Sequence, residues 1–174
     1  MALRKILTEP NRILRQKSSI VEKVDKDIQK LMDDMLETMY AAPGIGLAAI
    51  QIGVAKRIIV LDIARKDSPR TPMYFINPEI VERSENHSTY EEGCLSVPGQ
   101  FAEIHRPEKC HIKYLDYHGE PKEIKAEGML ATCIQHEMDH LEGILFIDYL
   151  SKLKKSMIIK KLSKQKKTIE RIVV

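Results

Sequence analysis

The 174-residue sequence contains only three cysteines, and no two of them lie close together. An odd, scattered set argues against a disulfide framework and favours free or metal-bound thiols in a reducing compartment. No apolar run approaches the roughly 20 residues that a membrane helix needs, and the first ten residues lack the apolar core of a secretory signal. There is no internal repeat or low-complexity linker. We therefore expect a monomeric protein of the cytoplasm, with no membrane segment, folded as one domain over residues 1–174.

Basic residues are concentrated at the C-terminal end of the chain. Residues 151–174 contain eight lysines and one arginine against a single glutamate, whereas residues 1–150 contain 19 basic and 24 acidic residues. This asymmetry indicates an anionic partner for the tail, such as nucleic acid or a membrane surface. The alternative is a solvated helix face, which is the more common explanation for a lysine-rich helix taken alone.

The strongest motif lies in residues 135–143, Gln-His-Glu-Met-Asp-His-Leu-Glu-Gly. Residues four apart share one face of a helix, so His136 and His140 can bind one metal ion, with Glu137 placed to handle protons on a bound water. The same short pattern also arises by chance on exposed charged helices. Here residues 128–134 are almost entirely apolar, which predicts a buried helix, and buried polar groups need a partner or a metal.

A catalytic site of this kind needs a third protein ligand. One large class of such enzymes uses a histidine where this chain has Phe146, and no histidine follows His140, so the third ligand must lie upstream. The upstream candidates are Cys94, Cys110, Cys133, His87, His105, His111 and His118. Cys94 is favoured because residues 91–99 contain glycine and proline and predict an irregular loop, although a buried structural thiol is an equal alternative.

Periodicity predicts an α+β fold of antiparallel sheets packed around the central buried helix, with one helix before it and one after it. The predicted helices are residues 25–40 with Asp25 as N-cap, 129–141, and a basic helix over 150–168 whose inner side carries Leu150, Leu153, Met157 and Leu162. The predicted strands are residues 57–63, 73–80, 81–90, 101–105, 110–117 and 122–126. The glycines of residues 44–51 predict a close approach to the backbone, such as a substrate peptide pairing with a strand edge.

Three segments together resemble the peptide deformylase family. They are residues 44–51 (Gly-Ile-Gly-Leu-Ala-Ala-Ile-Gln), 92–96 (Glu-Gly-Cys-Leu-Ser) and 135–143, in the order and spacing of that family. The basic C-terminal helix is similar to that of the bacterial type. The resemblance implies a metal-dependent hydrolase that removes the N-formyl group from the N-terminal formyl-methionine of newly made proteins and releases formate.

The resemblance also implies a role for individual residues. Cys94, His136 and His140 would bind one divalent metal, Fe²⁺ in the cell, with Zn²⁺, Ni²⁺ or Co²⁺ able to substitute. Glu137 would be the general base, and the Gln51 side chain and the Leu95 backbone N–H would stabilise the oxyanion. The residues expected to bind the methionine and the peptide are Ile45, Gly46, Gly93, Phe101, Met129, Thr132 and Cys133. Many bacterial members carry an arginine at the position of Phe101, which cannot donate the same hydrogen bonds.

Three further residues are expected to support the metal ligands. Glu92 would accept a hydrogen bond from a ligand imidazole and fix its orientation, and Asp139 and Arg106 would form an ion pair beside it. The partner of the basic helix would be the ribosome near the nascent-chain exit, where RNA is abundant.

Two other functions fit parts of the sequence. A metalloprotease could use the same helix, but the missing downstream ligand argues against it. A non-enzymatic metal-binding module would make the basic tail the working part, and it would not depend on the carboxylate of Glu137.

Overall fold

The computed structural model describes residues 2–65 and 67–172, with side chains of the last helix described as far as Thr168. Within these residues, the α-helices are α1 (Lys26–Ala41), α2 (Gly128–Leu141) and α3 (Lys152–Ile172). Short 3₁₀ segments occupy Arg12–Arg15, Ala49–Ile52 and Phe146–Tyr149. The strands are β1 (Gly46–Ala48), β2 (Ile58–Leu61), β3 (Met73–Arg83), β4 (His87–Cys94), β5 (Val97–Pro107), β6 (Lys109–Leu115) and β7 (Pro121–Glu127).

The strands form two antiparallel sheets. Five of them make a sheet in the order β1-β2-β3-β6-β7, and β4 pairs with β5 in a separate hairpin. Helix α2 packs against strands of both sheets, so the described structure confirms the predicted α+β class and the antiparallel pairing. None of the described helices combines the length and the apolar character that a bilayer crossing requires.

The five-stranded sheet separates α1 from α2. Strand β2 is buried on both faces and alternates, with Ile58 and Val60 in the cluster that includes α1, and Ile59 and Leu61 in the cluster that includes α2. Met32, Met35 and Met39 of α1 are buried in this core. The predicted N-cap Asp25 accepts hydrogen bonds from two backbone N–H groups at the start of the helix. The sheet thus fixes α2 from one side, while the hairpin contacts it from the other.

The C-terminal helix packs on the hairpin through part of the face that was predicted, since Leu150 and Leu162 both lie in the hairpin cluster. Ile158, Ile159 and Leu162 join a cluster with residues of β5 and the 3₁₀ segment Phe146–Tyr149. Leu153 and Met157, predicted on the inner side, are 72% and 61% exposed, and that part of the prediction is wrong. The apolar residues of α3 form a broad arc, and the position of β5 decides which part of the arc is covered.

Two strand predictions also need correction. Residues 81–90 do not form one strand, because β3 ends at Arg83 and β4 begins at His87. Residues 91–99, predicted as an irregular loop, belong mainly to β4 and β5, which are joined by a two-residue turn. Gly93 fits within β4 because the ring of Phe101 lies against it, in the space that a Cβ atom would occupy. The glycine at this position therefore makes room for an aromatic side chain and does not indicate a loop.

Candidate metal centre

Three potential metal ligands meet between the hairpin and α2. Cys94 is the last residue of β4, and His136 and His140 lie one turn apart on α2. One ligand atom from each residue lies within 4.8 Å of the other two, and the Cys94 Sγ is 3.3 Å from the His140 Nε2. In a tetrahedral site with ordinary zinc bond lengths, a sulfur and a nitrogen ligand are about 3.6 Å apart. The donor set and its spacing therefore fit a single metal ion.

The two histidines experience different electrostatic surroundings. Burial and the neighbouring His136 lower the pKa of His140 well below its ordinary value, which favours the neutral imidazole that metals require. Burial alone would lower the pKa of His136, but hydrogen bonds with Cys94 and Glu92 raise it well above that value. The Nδ1 of His136 lies 2.8 Å from the Glu92 carboxylate, so its Nε2 is left to face the other ligands.

A network of charged residues, on the side of His136 away from the other two ligand residues, fixes the position of this histidine. Arg106 donates to both oxygens of Glu92, at 2.6 and 3.0 Å, and to Asp139 at 2.8 Å. Burial alone would raise the pKa of Glu92, but its hydrogen bonds with His136 and Arg106 lower it. The hydroxyl group of Tyr149 also donates to Asp139, at 2.8 Å. Ion pairs thus join the hairpin to α2, and a hydrogen bond joins the segment after α2 to the same network.

Glu137 follows His136 on α2, and its carboxylate lies against Gly46 of β1. A Cβ atom added to Gly46 would overlap the Glu137 carboxylate, so the glycine allows the carboxylate to reach this position. The Oε2 atom has no hydrogen-bond partner among the described residues. Burial raises the pKa of Glu137 to about 7. A buried carboxyl group with this pKa can both accept and return a proton near neutral pH.

Gln51 is held beside Cys94. Its side-chain oxygen accepts a hydrogen bond from the Ala48 backbone N–H at 2.8 Å, and its nitrogen is 3.5 Å from the Cys94 Sγ. Leu95 follows Cys94 in the turn and lines the same cavity. Both predicted oxyanion donors therefore lie next to the ligand cluster.

A cavity of about 450 Å³ opens onto these groups. It is lined by all the residues predicted to bind the methionine and the peptide, namely Ile45, Gly46, Gly93, Phe101, Met129, Thr132 and Cys133. The rim is apolar, since Ile45, Phe101 and Met129 are 47%, 66% and 45% exposed. Cys133 is a wall residue, and burial raises the pKa of its thiol to about 12, so it is protonated.

The remaining predicted residues lie behind the site. Arg106 and Asp139 do not line this cavity but a second one on the far side of the network. Cys110, a rejected ligand candidate, is a buried core residue. Sequence reasoning missed Tyr149 and Ser96, whose hydroxyl accepts a hydrogen bond from the Gln51 side chain at 3.0 Å. Ser96 stood in the 92–96 motif, but the motif alone gives no sign of its partner.

Comparisons with known proteins agree with this geometry. The family model described as polypeptide deformylase matches residues 3–156. A peptide deformylase from Pelagibacter ubique is 66% identical over 174 residues, covering all of both chains. This chain belongs to the peptide deformylase family. Its members are metal-dependent enzymes that remove N-formyl groups from nascent peptides, and this chain is an enzyme of that kind.

Other members of the peptide deformylase family show the same relationship. The peptide deformylase of Phenylobacterium zucineum is 59% identical and covers 96% of this chain and 99% of its own. A crystal structure of the Ehrlichia chaffeensis peptide deformylase in complex with actinonin has a TM-score of 0.91 at 47% identity, covering 95% of this chain and 98% of that one. The family match ends at residue 156, so most of α3 lies beyond it.

Proposed function

We propose that this chain performs deformylation with Cys94, His136 and His140 as the metal ligands and Glu137 as the proton carrier. One observation carries the proposal: three suitable ligand atoms lie within 4.8 Å of one another, next to a buried carboxylate, at the end of an apolar cavity. The metal in the cell is proposed to be Fe²⁺, with Zn²⁺, Ni²⁺ or Co²⁺ able to replace it, because mixed imidazole and thiolate ligands suit all four ions.

Glu137 moves the proton in this mechanism. When bound, the metal supplies Lewis-acid activation of a water molecule. Glu137 accepts a proton from the attacking water and then gives it to the leaving amine, which a pKa of about 7 allows in both directions. Gly46 supports this role because it leaves room for the carboxylate.

Gln51 and Leu95 stabilise the oxygen of the formyl group as charge develops on it. The proposed donors are the Gln51 side-chain amide and the Leu95 backbone N–H. Both residues line the cavity beside Cys94. Donors that are already fixed in position stabilise the developing charge more than donors that must first reorganise.

The cavity binds the methionine side chain, and β1 binds the peptide backbone. The wall residues Met129, Thr132 and Cys133 provide a pocket of the right apolar character. Strand β1 lies at an edge of the described sheet, so a peptide can pair with Ile45 and Gly46 and lie near Gly93 on the opposite wall. Phe101 adds apolar area at the rim in place of the arginine found in many relatives.

Formate release tests the proposal. We expect protein loaded with iron under anaerobic conditions to release formate from formyl-Met peptides and to lose activity in air. Replacement of Cys94 by alanine should abolish both metal binding and activity. Full activity in a Cys94→Ala variant would refute this ligand set without questioning membership of the family.

The basic helix α3 is proposed to bind the ribosome near the nascent-chain exit. Seven of its lysines are exposed: Lys152, Lys154, Lys160, Lys161, Lys164, Lys166 and Lys167. Lys155 is used within the molecule, in an ion pair with Asp148. Because Leu162 packs in the hairpin cluster, deletion of residues after 151 would damage the fold as well as the charge. Substitution of the exposed lysines is the better experiment.

We expect replacement of Lys160, Lys161 and Lys164 by glutamate to weaken ribosome co-sedimentation, with wild-type binding falling steeply as salt is raised. The matched control replaces three exposed lysines of the sheet, Lys113, Lys122 and Lys125. Equal losses in the two variants, or binding that ignores salt, would contradict the proposal.

We also propose that residues 1–174 act as one catalytic domain, as a monomer in the cytoplasm. The contacts of the N-terminal arm support the single domain, because Arg15 forms ion pairs with Glu9 and with Asp148 near the start of α3. Light scattering should give the mass of one chain, and a dimer mass would contradict the proposed state.

A further inference from the structure

We infer that Ser96 is a positioning residue for the deformylation reaction: its hydroxyl group holds the Gln51 amide so that an N–H of Gln51 faces the metal centre. The inference rests on the role proposed above for Gln51 as a donor to the developing oxyanion. It adds a residue that belongs neither to the ligand group nor to the cavity lining of the described structure.

The Gln51 amide has a defined partner at each end. The side-chain oxygen accepts from the Ala48 backbone N–H at 2.8 Å, and the nitrogen donates to the Ser96 Oγ at 3.0 Å. An amide nitrogen carries two hydrogens. With one on Ser96, the other is left for the side where Cys94 Sγ lies, at 3.5 Å.

The opposite orientation of the amide is unfavourable. Exchange of its oxygen and nitrogen would place an N–H of Gln51 against the N–H of Ala48, so that two donors would face each other in a buried site. Ala48 therefore selects the orientation of Gln51, and Ser96 fixes its nitrogen end. Without Ser96, that end would depend on a flexible side chain alone.

The backbones that carry the two residues are held together by the N-terminal arm. The Leu7 N–H donates to the Gln51 carbonyl at 2.7 Å, and the Glu9 N–H donates to the Ser96 carbonyl at 2.8 Å. Gln51 and Ser96 are 45 residues apart in sequence, and the arm bridges them with two hydrogen bonds. Ser96 is completely buried, so its hydroxyl group is fixed by backbone and by packing.

A double-mutant cycle tests whether Ser96 acts through Gln51. We expect Ser96→Ala to lower kcat by roughly tenfold, less than the 10²–10³ typical for loss of a whole oxyanion donor, with KM and metal content unchanged. In a Gln51→Ala background, the same change should have no further effect. The control is Ser18→Ala, which removes a buried hydroxyl group that lacks a partner in the described chain.

Two outcomes of the cycle would overturn the inference. One is an equal loss from Ser96→Ala with and without Gln51, and the other is an Ser96→Ala variant as active as the Ser18→Ala control. Ser96→Thr and Ser96→Val, which are equal in size, separate the hydroxyl group from the volume of the side chain. We expect the threonine variant to be the more active of the two, and equal activities would also count against the inference.

A measurement on the zinc-loaded protein provides a readout that does not need activity. The side-chain amide signals of Gln51 in a ¹⁵N spectrum can be assigned by their loss in Gln51→Ala. We expect Ser96→Ala to shift these signals and speed their exchange with water, and Ser18→Ala to leave them unchanged. Unaltered Gln51 signals in Ser96→Ala would refute the contact itself. A shift without any effect on formate release would show that the contact exists but does not support the reaction, which overturns the inference. A fully active Gln51→Ala variant would instead refute the proposed role of Gln51.

Discussion

The two sides of α2 differ in how their buried charges are satisfied. On the hairpin side, Glu92 accepts hydrogen bonds from Arg106 and His136, and its pKa is lowered. On the β1 side, Glu137 has an oxygen without a partner in the described structure, and burial raises its pKa to about 7. The proposed metal ligands of α2 thus lie beside a paired carboxylate, whereas the proposed proton carrier on the same helix is an unpaired one.

The largest expected effect comes from removing the unpaired carboxylate. Glu137→Gln keeps the size of the side chain but cannot carry the proton, so we expect kcat to fall by roughly 10³. Metal content should stay the same, because Glu137 is not a ligand. Formate release and metal per chain are the measurements, with Glu142→Gln, at the end of the same helix, as the control. A Glu137→Gln variant that retained its activity would show that the unpaired carboxylate is not needed for the reaction.

A smaller effect is expected from moving that carboxylate without removing it. In Gly46→Ala the new methyl group would overlap the Glu137 side chain, and we expect kcat to fall by roughly 10², within the range for loss of a positioned general base. The control is the same change made in the Glu137→Gln variant, where we expect no further loss of kcat. A Gly46→Ala variant with the kcat of the wild type would mean that the close contact with Gly46 is unimportant.

On the hairpin side, where Glu92 is paired with Arg106, we expect a substitution to weaken metal binding more than it lowers kcat of the metal-loaded protein. Arg106→Met removes the partner of the buried Glu92 and of the partly buried Asp139. Metal affinity should therefore fall by roughly 10- to 100-fold and the free energy of unfolding by about 3 kcal/mol. Competition with a chelator and urea unfolding measure the two quantities. Arg57→Met, which breaks a more exposed pair with Glu142 at the end of α2, is the control. An equal loss of metal affinity in the Arg57→Met control would show that the Arg106 network has no particular role in metal binding.

The smallest effect should come from a paired carboxylate far from the site. Asp34 is completely buried, and although burial alone would raise its pKa, hydrogen bonds from Ala2, Arg4 and Lys30 lower it to about 2. A lowered pKa stabilises the fold above the ordinary value of about 3.9, and this contribution is lost as the pH falls toward 2.

We therefore expect Asp34→Asn to lower the Tm by roughly 3 °C at neutral pH, with the difference from the wild type shrinking between pH 4 and pH 2. The kcat at pH 7 should not change. Thermal unfolding at several pH values measures the difference, and a constant difference down to pH 2 would contradict the assigned pKa.

The sequence predicted the helix of the site better than its surroundings. The spacing of His136, Glu137 and His140 follows from helix geometry, and an apolar approach segment is enough to predict burial. The strand pairing and the α+β class also followed from local pattern. The proposed ligand role of Cys94 did not follow from spacing, because residues 91–99 have the composition of a loop whereas the structure makes them mainly a hairpin.

The features that were missed depend on contacts between distant segments. Gly93 lies within a strand, and the ring of Phe101 occupies the space where a side chain at position 93 would lie. The position of Ser96 gains meaning only from its hydrogen bond with Gln51, which is distant in sequence. The inner face of α3 depends on where β5 lies, so the periodicity of the helix could not choose between Met157 and Ile158. Local periodicity contains no information about such partners, and only the fold supplies them.

The ion pair between Arg106 and Asp139 and the hydrogen bond between Glu92 and His136 fasten the hairpin to α2 with no ion involved. These contacts fix the position of β4, and therefore of Cys94, relative to the two histidines. A change in any of them would move one proposed ligand away from the other two while leaving all three residues in the sequence.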